Sequence, residues 1–229
     1  MQSFKIIGIS GVGRAGKDSF YRFASEFLGT EGISCGRWAF ADELKKDLDG
    51  FISEKFGFSA FTENTDEKNK IRPILVEYGK IRRKDSKGQY WLNKIRDTLL
   101  SPEGPQVRFI TDLRFAEFGG GDELGFVKSH GGKIVHVERY DSKDWYGQFH
   151  VLEPANSEEE KNDPLIRKAA DVQFRWHDFS KFENGESIPR LEVERVMKEN
   201  SGLWKEGGEM VRKMEKWVDS ELKEGLQDV

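Results

Sequence analysis

The chain has 229 residues, a formal net charge of −4 and a single cysteine, Cys35. Its length suits one large domain or a domain with appendages, and its acidic balance argues against stable, sequence-independent binding of nucleic acid. One cysteine excludes an intramolecular disulfide framework and a multi-cysteine metal site. Because no apolar stretch is long enough for a membrane helix or resembles a signal peptide, we expect a cytoplasmic protein.

Strand-like and helix-like segments alternate along the chain. Short apolar runs indicate buried strands, and apolar residues at helical spacing indicate amphipathic helices. This alternation predicts the α/β class, with a mostly parallel central sheet and helices on both faces. The predicted strands are 4–10, 33–40, 107–114, 133–139 and 170–174, and the predicted helices are 17–28, 41–56, 67–83, 89–100 and 191–226.

The stretch GISGVGRAGKDSF, residues 8–20, joins the first predicted strand to the first predicted helix. Its glycines allow backbone amides to turn inward on an anion, the helix dipole favours that anion, and Lys17 can reach the outer phosphates of a nucleoside triphosphate. A tight connection without a ligand is the alternative. The predicted phosphate-binding residues are Gly11, Gly13, Arg14, Ala15, Gly16, Lys17, Asp18 and Ser19.

One position of this loop is unusual, because Asp18 follows Lys17 and the expected hydroxyl, Ser19, comes one residue late. A carboxylate at Asp18 would repel phosphate unless a cation lies between them or the carboxylate caps the first turn of the helix. We therefore predict that Ser19 takes the hydroxyl's role toward Mg²⁺ and that Asp18 is a second candidate ligand of the metal.

Several stretches resemble one family. The order Gly-Lys-Asp-Ser resembles the loop of the bacteriophage deoxynucleoside monophosphate kinases, and phosphomevalonate kinases are similar at this point. FADELKKDL (40–48) resembles the family's passage into its first substrate-side helix, and residues 72–95 resemble its Arg-x-x-Leu-x-x-x-Gly segment followed by a Trp. VRFITDLRF (107–115) resembles its strand ending in Asp-x-Arg, and GGKIVHVER (131–139) resembles its next strand ending in Arg. The resemblance covers about residues 4–140.

The resemblance implies a P-loop kinase domain over residues 1–190, and the host cytoplasm as its compartment if the chain is phage-encoded. Within this domain we expect a helical acceptor-binding region at about 41–100 and, at about 140–170, a flexible polar excursion that acts as a lid. Residues 191–229 predict a helical extension that packs on the body or on a partner subunit, so a homodimer is one expectation. Its apolar positions include Val193, Val196, Leu203, Val211, Met214, Trp217 and Val218.

Phosphoryl transfer needs a positioned donor and acceptor and positive charge on the transferring group. Asp112 closes a buried strand, where parallel sheets place polar ligands, so it could orient Mg²⁺ through water, hold the acceptor or cap the next helix. The resemblance implies that Arg114, which would face the same cleft, contacts the acceptor nucleotide. Arg139 at the end of the next strand is the favoured lid cation, and we predict that Lys17, Asp112 and Arg139 act in catalysis.

Four more residues are candidates for the acceptor site. Lys45, Arg72 and Arg83 can engage phosphate oxygens, although a solvated surface charge is an equal alternative for each. Trp91 could stack on a base, although aromatic residues more often belong to the core. The predicted substrate-binding residues are Lys45, Arg72, Arg83, Trp91, Asp112 and Arg114.

These observations predict a kinase that uses ATP and Mg²⁺ to convert deoxynucleoside monophosphates to diphosphates. One alternative is a P-loop kinase with another acceptor, such as a modified base in phage DNA or a small phosphorylated metabolite. A second alternative is a nucleotide-binding switch without turnover. ATP and the monophosphate are the expected partners, and neither a membrane nor stably bound nucleic acid is expected.

Overall fold

A computed structural model describes residues 4–143, 149–177 and 205–222. Strands and helices alternate over most of this part of the chain, which confirms the α/β class. The strands are β1 (Lys5–Ser10), β2 (Cys35–Trp38), β3 (Val107–Leu113), β4 (Lys133–Lys143), β5 (Phe149–Val151) and β6 (Val172–His177). The helices are α1 (Lys17–Thr30), α2 (Phe40–Phe56), α3 (Thr65–Asp85), α4 (Gln89–Leu100), α5 (Glu123–Ser129), α6 (Ser157–Ala169) and α7 (Lys205–Leu222).

Five strands form a parallel sheet in the order β2-β3-β1-β4-β6, and β5 pairs with β4 in antiparallel fashion. Val135 of β4 pairs with both β1 and β6, so these two strands lie on opposite sides of β4. Tyr140 pairs with both β5 and β6. Strand β5 therefore lies on the β1 side of β4, beyond the carboxyl end of β1, where the glycine-rich loop begins.

Helices cover both faces of the sheet, as predicted. Alternate residues of a strand point to opposite faces, so Ile7 packs with α1 and α7 while Ile6 packs with α4 and α5. The first face also buries Phe174 of β6, and the second buries Ile134 of β4 and Ile166 of α6. Because the helices cover the two faces of the sheet, the carboxyl ends of the strands remain open. Sheets of this class bind ligands at these ends.

Part of the polar excursion is regular structure. Strand β4 continues to Lys143, and α6 occupies Ser157–Ala169. The buried residues of α6 are Glu159, Asn162 and Ile166, so its inner face is mostly polar and produces no apolar period. Helix α5 was not predicted either. Residues 144–148 lie outside the described part of the chain.

Helix α7 packs on the body of the same chain, against α1 and β6. Met214, Val218 and Leu222 are almost fully buried in the core that contains Phe20 and Phe174. The apolar positions predicted at 193, 196 and 203 lie outside the described residues. None of the helices described is both long and apolar enough to cross a bilayer.

Candidate active site

The glycine-rich loop between β1 and α1 is held by two other strands of the sheet. Gly11 has φ 129°, and a Cβ there would lie 2.2 Å from the Val137 carbonyl oxygen of β4. Gly16 has φ 95°, and a Cβ there would lie 2.2 Å from the Trp176 ring of β6. Only glycine satisfies both the backbone conformation and the close approach. The Trp176 indole Nε1 also donates to the Ala15 carbonyl oxygen at 2.8 Å, which fixes the loop from β6.

Lys17 begins α1 and is buried, with 8% of its surface exposed. Its Nζ donates to the carbonyl oxygens of Gly11 and Val12, both at 2.8 Å. Burial lowers the pKa of the ammonium group to about 8, and the positive charge of Arg114 acts in the same direction. Nearby carboxylates, first that of Glu159, partly oppose this shift. The Lys17 ammonium group is therefore held by carbonyl oxygens of the loop that precedes it.

Asp18 and Ser19 follow in the first turn of α1, where Asp18 is exposed and Ser19 is half-buried. A hydroxyl and a carboxylate oxygen are the ligands that Mg²⁺ prefers, so their chemistry fits this ion. Within the described residues, no group of three or more His, Cys, Asp or Glu side chains could hold a metal by itself. A Mg²⁺ ion at this turn would need phosphate oxygens and water for its remaining ligands.

A cavity of about 700 Å³ opens beside the loop, within the range typical of small-molecule sites. Gly13 and Arg14 of the loop form one end of it, and residues of α2, α3 and the start of α6 form its walls. All six residues predicted to bind the substrate line this one cavity, namely Lys45, Arg72, Arg83, Trp91, Asp112 and Arg114. The structure thus brings together side chains that lie up to 69 positions apart in the chain.

The predicted aromatic residue belongs mainly to the core. Trp91 is 2% exposed, and its ring meets the Tyr90 ring edge-on at 4.7 Å. Its Nε1 donates to the Gly79 carbonyl oxygen at 3.4 Å. Trp91 therefore packs as a core residue, as the alternative proposed, and also forms part of the cavity wall. Lys45 lies over the Phe61 ring at 5.4 Å, and Arg72 is exposed at the cavity.

Arg83 is the most enclosed of the predicted cavity cations. Its guanidinium lies 3.1 Å from the centre of the Phe115 ring, and burial lowers its pKa. Its Nε is buried and has no hydrogen-bond partner among the described residues. Glu123, which no sequence signal indicated, accepts the Arg114 and Phe115 backbone N–H groups at 2.7 and 3.2 Å. Burial raises the pKa of Glu123 to about 8, so most of the population carries a proton near neutral pH.

Asp112 caps a helix, but this helix is α2, which precedes Asp112 in the chain, and not the next helix of the capping alternative. Its two carboxylate oxygens accept the backbone N–H groups of Phe40 and Ala41 at 2.9 and 2.7 Å, which begin α2. Burial raises its pKa, against the favourable charge of Arg114. Asp112 therefore fixes α2 relative to β3 and still presents its charge to the cavity.

Arg114 reaches across the cavity to a residue that sequence analysis missed. Its Nη1 donates to Glu159 Oε1 at 2.7 Å. Glu159 is 6% exposed and lies in the first turn of α6, inside the range that was expected to be a flexible lid. A glutamate in a run of three had no feature that would distinguish it from a solvated helix surface.

Arg139 does not line the cavity that holds the other predicted residues. It lies in a neighbouring cavity of about 170 Å³, with His136 and Arg167 among its walls. Of the three residues predicted to act in catalysis, the structure brings Asp112 near Lys17, whose pKa the Asp112 charge raises. Val12 of the loop also lines the smaller cavity, so Arg139 is adjacent to the loop from the other side.

The buried Lys17 predicts a pH dependence of stability. Its pKa falls from 10.5 to about 8 on folding, so between these values the unfolded chain binds more protons and stability rises with pH. We expect the free energy of unfolding of the wild type, relative to Lys17→Met, to increase from about pH 7 to about pH 10. Denaturant titration at several pH values measures this, with Lys55→Met, an exposed lysine of α2, as control. A difference that stays constant over this range would contradict the burial of a charged Lys17.

Comparison with known proteins adds little to this geometry. No protein-family model and no curated protein matches the chain. A shikimate kinase structure from Bacteroides thetaiotaomicron is similar at 14% identity over 94% of this chain and 98% of that chain, with a TM-score of 0.37. A shikimate kinase from Acinetobacter baumannii, in complex with shikimate, is similar at 15% identity over 86% of this chain and 93% of that chain, with a TM-score of 0.32. TM-scores this low carry no argument about the reaction of this chain.

Proposed function

We propose that this chain is a P-loop phosphotransferase that moves the γ-phosphoryl group of ATP, with Mg²⁺, onto a deoxynucleoside monophosphate. The observation that carries the proposal is that the loop of Lys17 and a cavity lined by four arginines share one space. A loop of this form binds the phosphates of the donor, and the guanidinium groups suit a second, phosphorylated ligand. The sequence resemblance supports the choice of a deoxynucleoside monophosphate.

On the donor side, the backbone amides of residues 11–19 would surround the phosphates of ATP. Lys17 would exchange its contacts with the Gly11 and Val12 carbonyl oxygens for phosphate oxygens. Mg²⁺ held by Ser19, and by Asp18 if this carboxylate turns toward it, would neutralise charge on the phosphates. Because the ammonium group is buried, its attraction to the transferring group is stronger than it would be in water.

On the acceptor side, Arg83 and Arg114 would hold the phosphate of the monophosphate close to the loop. Lys45 and Arg72 lie among the α2 and α3 residues of the cavity, whose apolar side chains Leu44, Ile71 and Leu75 suit a base and sugar. An oxygen of the acceptor phosphate then attacks the γ-phosphorus, and the bond from this phosphorus to the bridging oxygen breaks. The products are a deoxynucleoside diphosphate and ADP.

The lid is part of the proposal. Leu152, Glu153, Ala155 and Asn156 fall within 140–170 and line the same cavity as Gly13 and Arg14 of the loop. Their closure over bound nucleotides would exclude water from the transferring group. Leu152 and Glu153 also line the smaller cavity of Arg139, so closure is the step that could bring Arg139 to the phosphates.

Turnover provides the first test. The purified chain should release ADP from ATP when supplied with one or more members of a panel of deoxynucleoside monophosphates. Lys17→Met should lower this turnover by about 100-fold or more, since it removes the buried charge at the transferring group. Lys55→Met is the matched control. Near-normal turnover of a folded Lys17→Met protein would contradict the proposal, and turnover only with ribonucleotides or with duplex DNA would change its acceptor.

Arg114 provides a second test, because it is proposed to bind the acceptor rather than ATP. We expect Arg114→Ala to raise the KM for the monophosphate by about tenfold or more and that for ATP by less. Steady-state kinetics with each substrate varied in turn measures both values. Arg96→Ala, whose guanidinium contacts Gln89 outside the cavity, is the control. Equal changes in both KM values would argue against an acceptor role.

A further inference from the structure

Glu159 lies in the gap between the donor loop and the proposed acceptor arginine. Its Oε2 accepts the backbone N–H of Gly13 at 3.1 Å and that of Ala155 at 3.0 Å. Its Oε1 accepts from Arg114 at 2.7 Å. One buried carboxylate therefore bridges an amide of the loop and a guanidinium of the acceptor side.

These donors are the kind that bind phosphoryl oxygens. Inward-facing loop amides and arginines bind the oxygens of phosphate groups, and a carboxylate offers the same anionic oxygens. We propose that the backbone amides of Gly13 and Ala155 form the subsite of the transferring γ-phosphoryl group, next to the acceptor phosphate on Arg114, and that Glu159 fills this subsite in the nucleotide-free chain. The inference rests on the proposed function and adds to it a carboxylate that must withdraw before ATP can bind fully.

The surroundings of Glu159 agree with a carboxylate that takes the place of a ligand. The burial of its charge is compensated by three donors, and its charge also favours the protonated form of Lys17. Bound ATP would supply the same negative charge to Lys17 and to the two amides. A carboxylate and a γ-phosphate cannot both accept from the Gly13 and Ala155 N–H groups, because like charges at contact distance repel strongly in a buried site.

Helix α6 carries Glu159 in its first turn and is held in place by contacts of its later turns. Asn162 accepts the Ala116 backbone N–H at 3.0 Å and donates to Glu117 Oε1 at 2.8 Å, and Ile166 is buried in the core. The first turn of α6, by contrast, borders the cavity, and Ala155, Asn156 and Glu158 line the cavity there. Glu159 can therefore withdraw by a change at this end of α6, without unpacking the rest of the helix.

The subsite distinguishes ATP from ADP, because ADP has no γ-phosphate to compete with Glu159. We expect Glu159→Gln, which keeps the shape and removes the charge, to tighten binding of a non-hydrolysable ATP analogue by about tenfold and to change ADP binding much less. Isothermal titration calorimetry with Mg²⁺ and without an acceptor measures both dissociation constants. Glu160→Gln removes a charge from the same helix turn at an exposed position and should change neither constant.

Glu159→Asp provides a second variant in case the glutamine variant folds poorly. Its shorter side chain keeps the charge but reaches Gly13 less well, so the preference for the ATP analogue over ADP should again rise. An unchanged or reduced preference in a folded variant would overturn the inference, as would a wild type that binds neither nucleotide. Nucleotide binding with the expected shift, but no turnover with any monophosphate, would refute the proposed function and leave the subsite standing.

Discussion

The site depends on a positive charge that is buried before any ligand arrives. Burial at the start of α1 lowers the pKa of Lys17 to about 8. Its ammonium group donates to two carbonyl oxygens of the loop. Glu159 and Asp112 add negative charge nearby. The charge of Lys17 is thus balanced within the protein, and in the proposed function the phosphates of ATP replace these internal partners. In the proposed function, such a site is ordered before the nucleotide binds, which favours tight positioning of the transferring group.

The loop owes its shape to strands that are distant in the sequence. Gly11 lies against the backbone of β4, and Gly16 lies against the indole of Trp176 in β6. Helix α7 packs behind β6 and α1 and buries Met214 and Val218 there. Helix α7 therefore packs against the two elements that hold the glycine-rich loop, α1 and β6, although it contributes no residue to the cavity among those described.

Sequence patterns predicted the elements whose formation depends on residues close together in the chain. The strands around Ile7, Phe109 and Val135 are apolar runs. The glycines and the lysine of the loop have the spacing that predicts phosphate binding. Helix α6 was missed because its inner face buries Glu159 and Asn162, which take their partners from the loop and from the segment after β3. Such partners follow from the tertiary fold and leave no period in the sequence.

The role of individual carboxylates was equally hidden. Nothing in the sequence places the start of α2 against Asp112, because 70 or more positions separate the acceptor from the N–H groups that it binds. The same applies to Glu123, whose pKa rises because the fold buries it, although the Arg114 and Phe115 N–H groups that it accepts act in the opposite direction. The basic residues of the cavity were easier to identify, since they follow recognisable strand ends and helix segments.

The central claim is that the loop and the cavity form one donor and acceptor site. A bisubstrate analogue, in which five phosphates join adenosine to a deoxynucleoside, tests it most directly by calorimetry. If both ends bind at once, the analogue should bind at least about 100-fold more tightly than ATP or the monophosphate alone, because one ligand then gains the contacts of two. An affinity no greater than that of ATP would show that the two regions do not act together and would contradict the account.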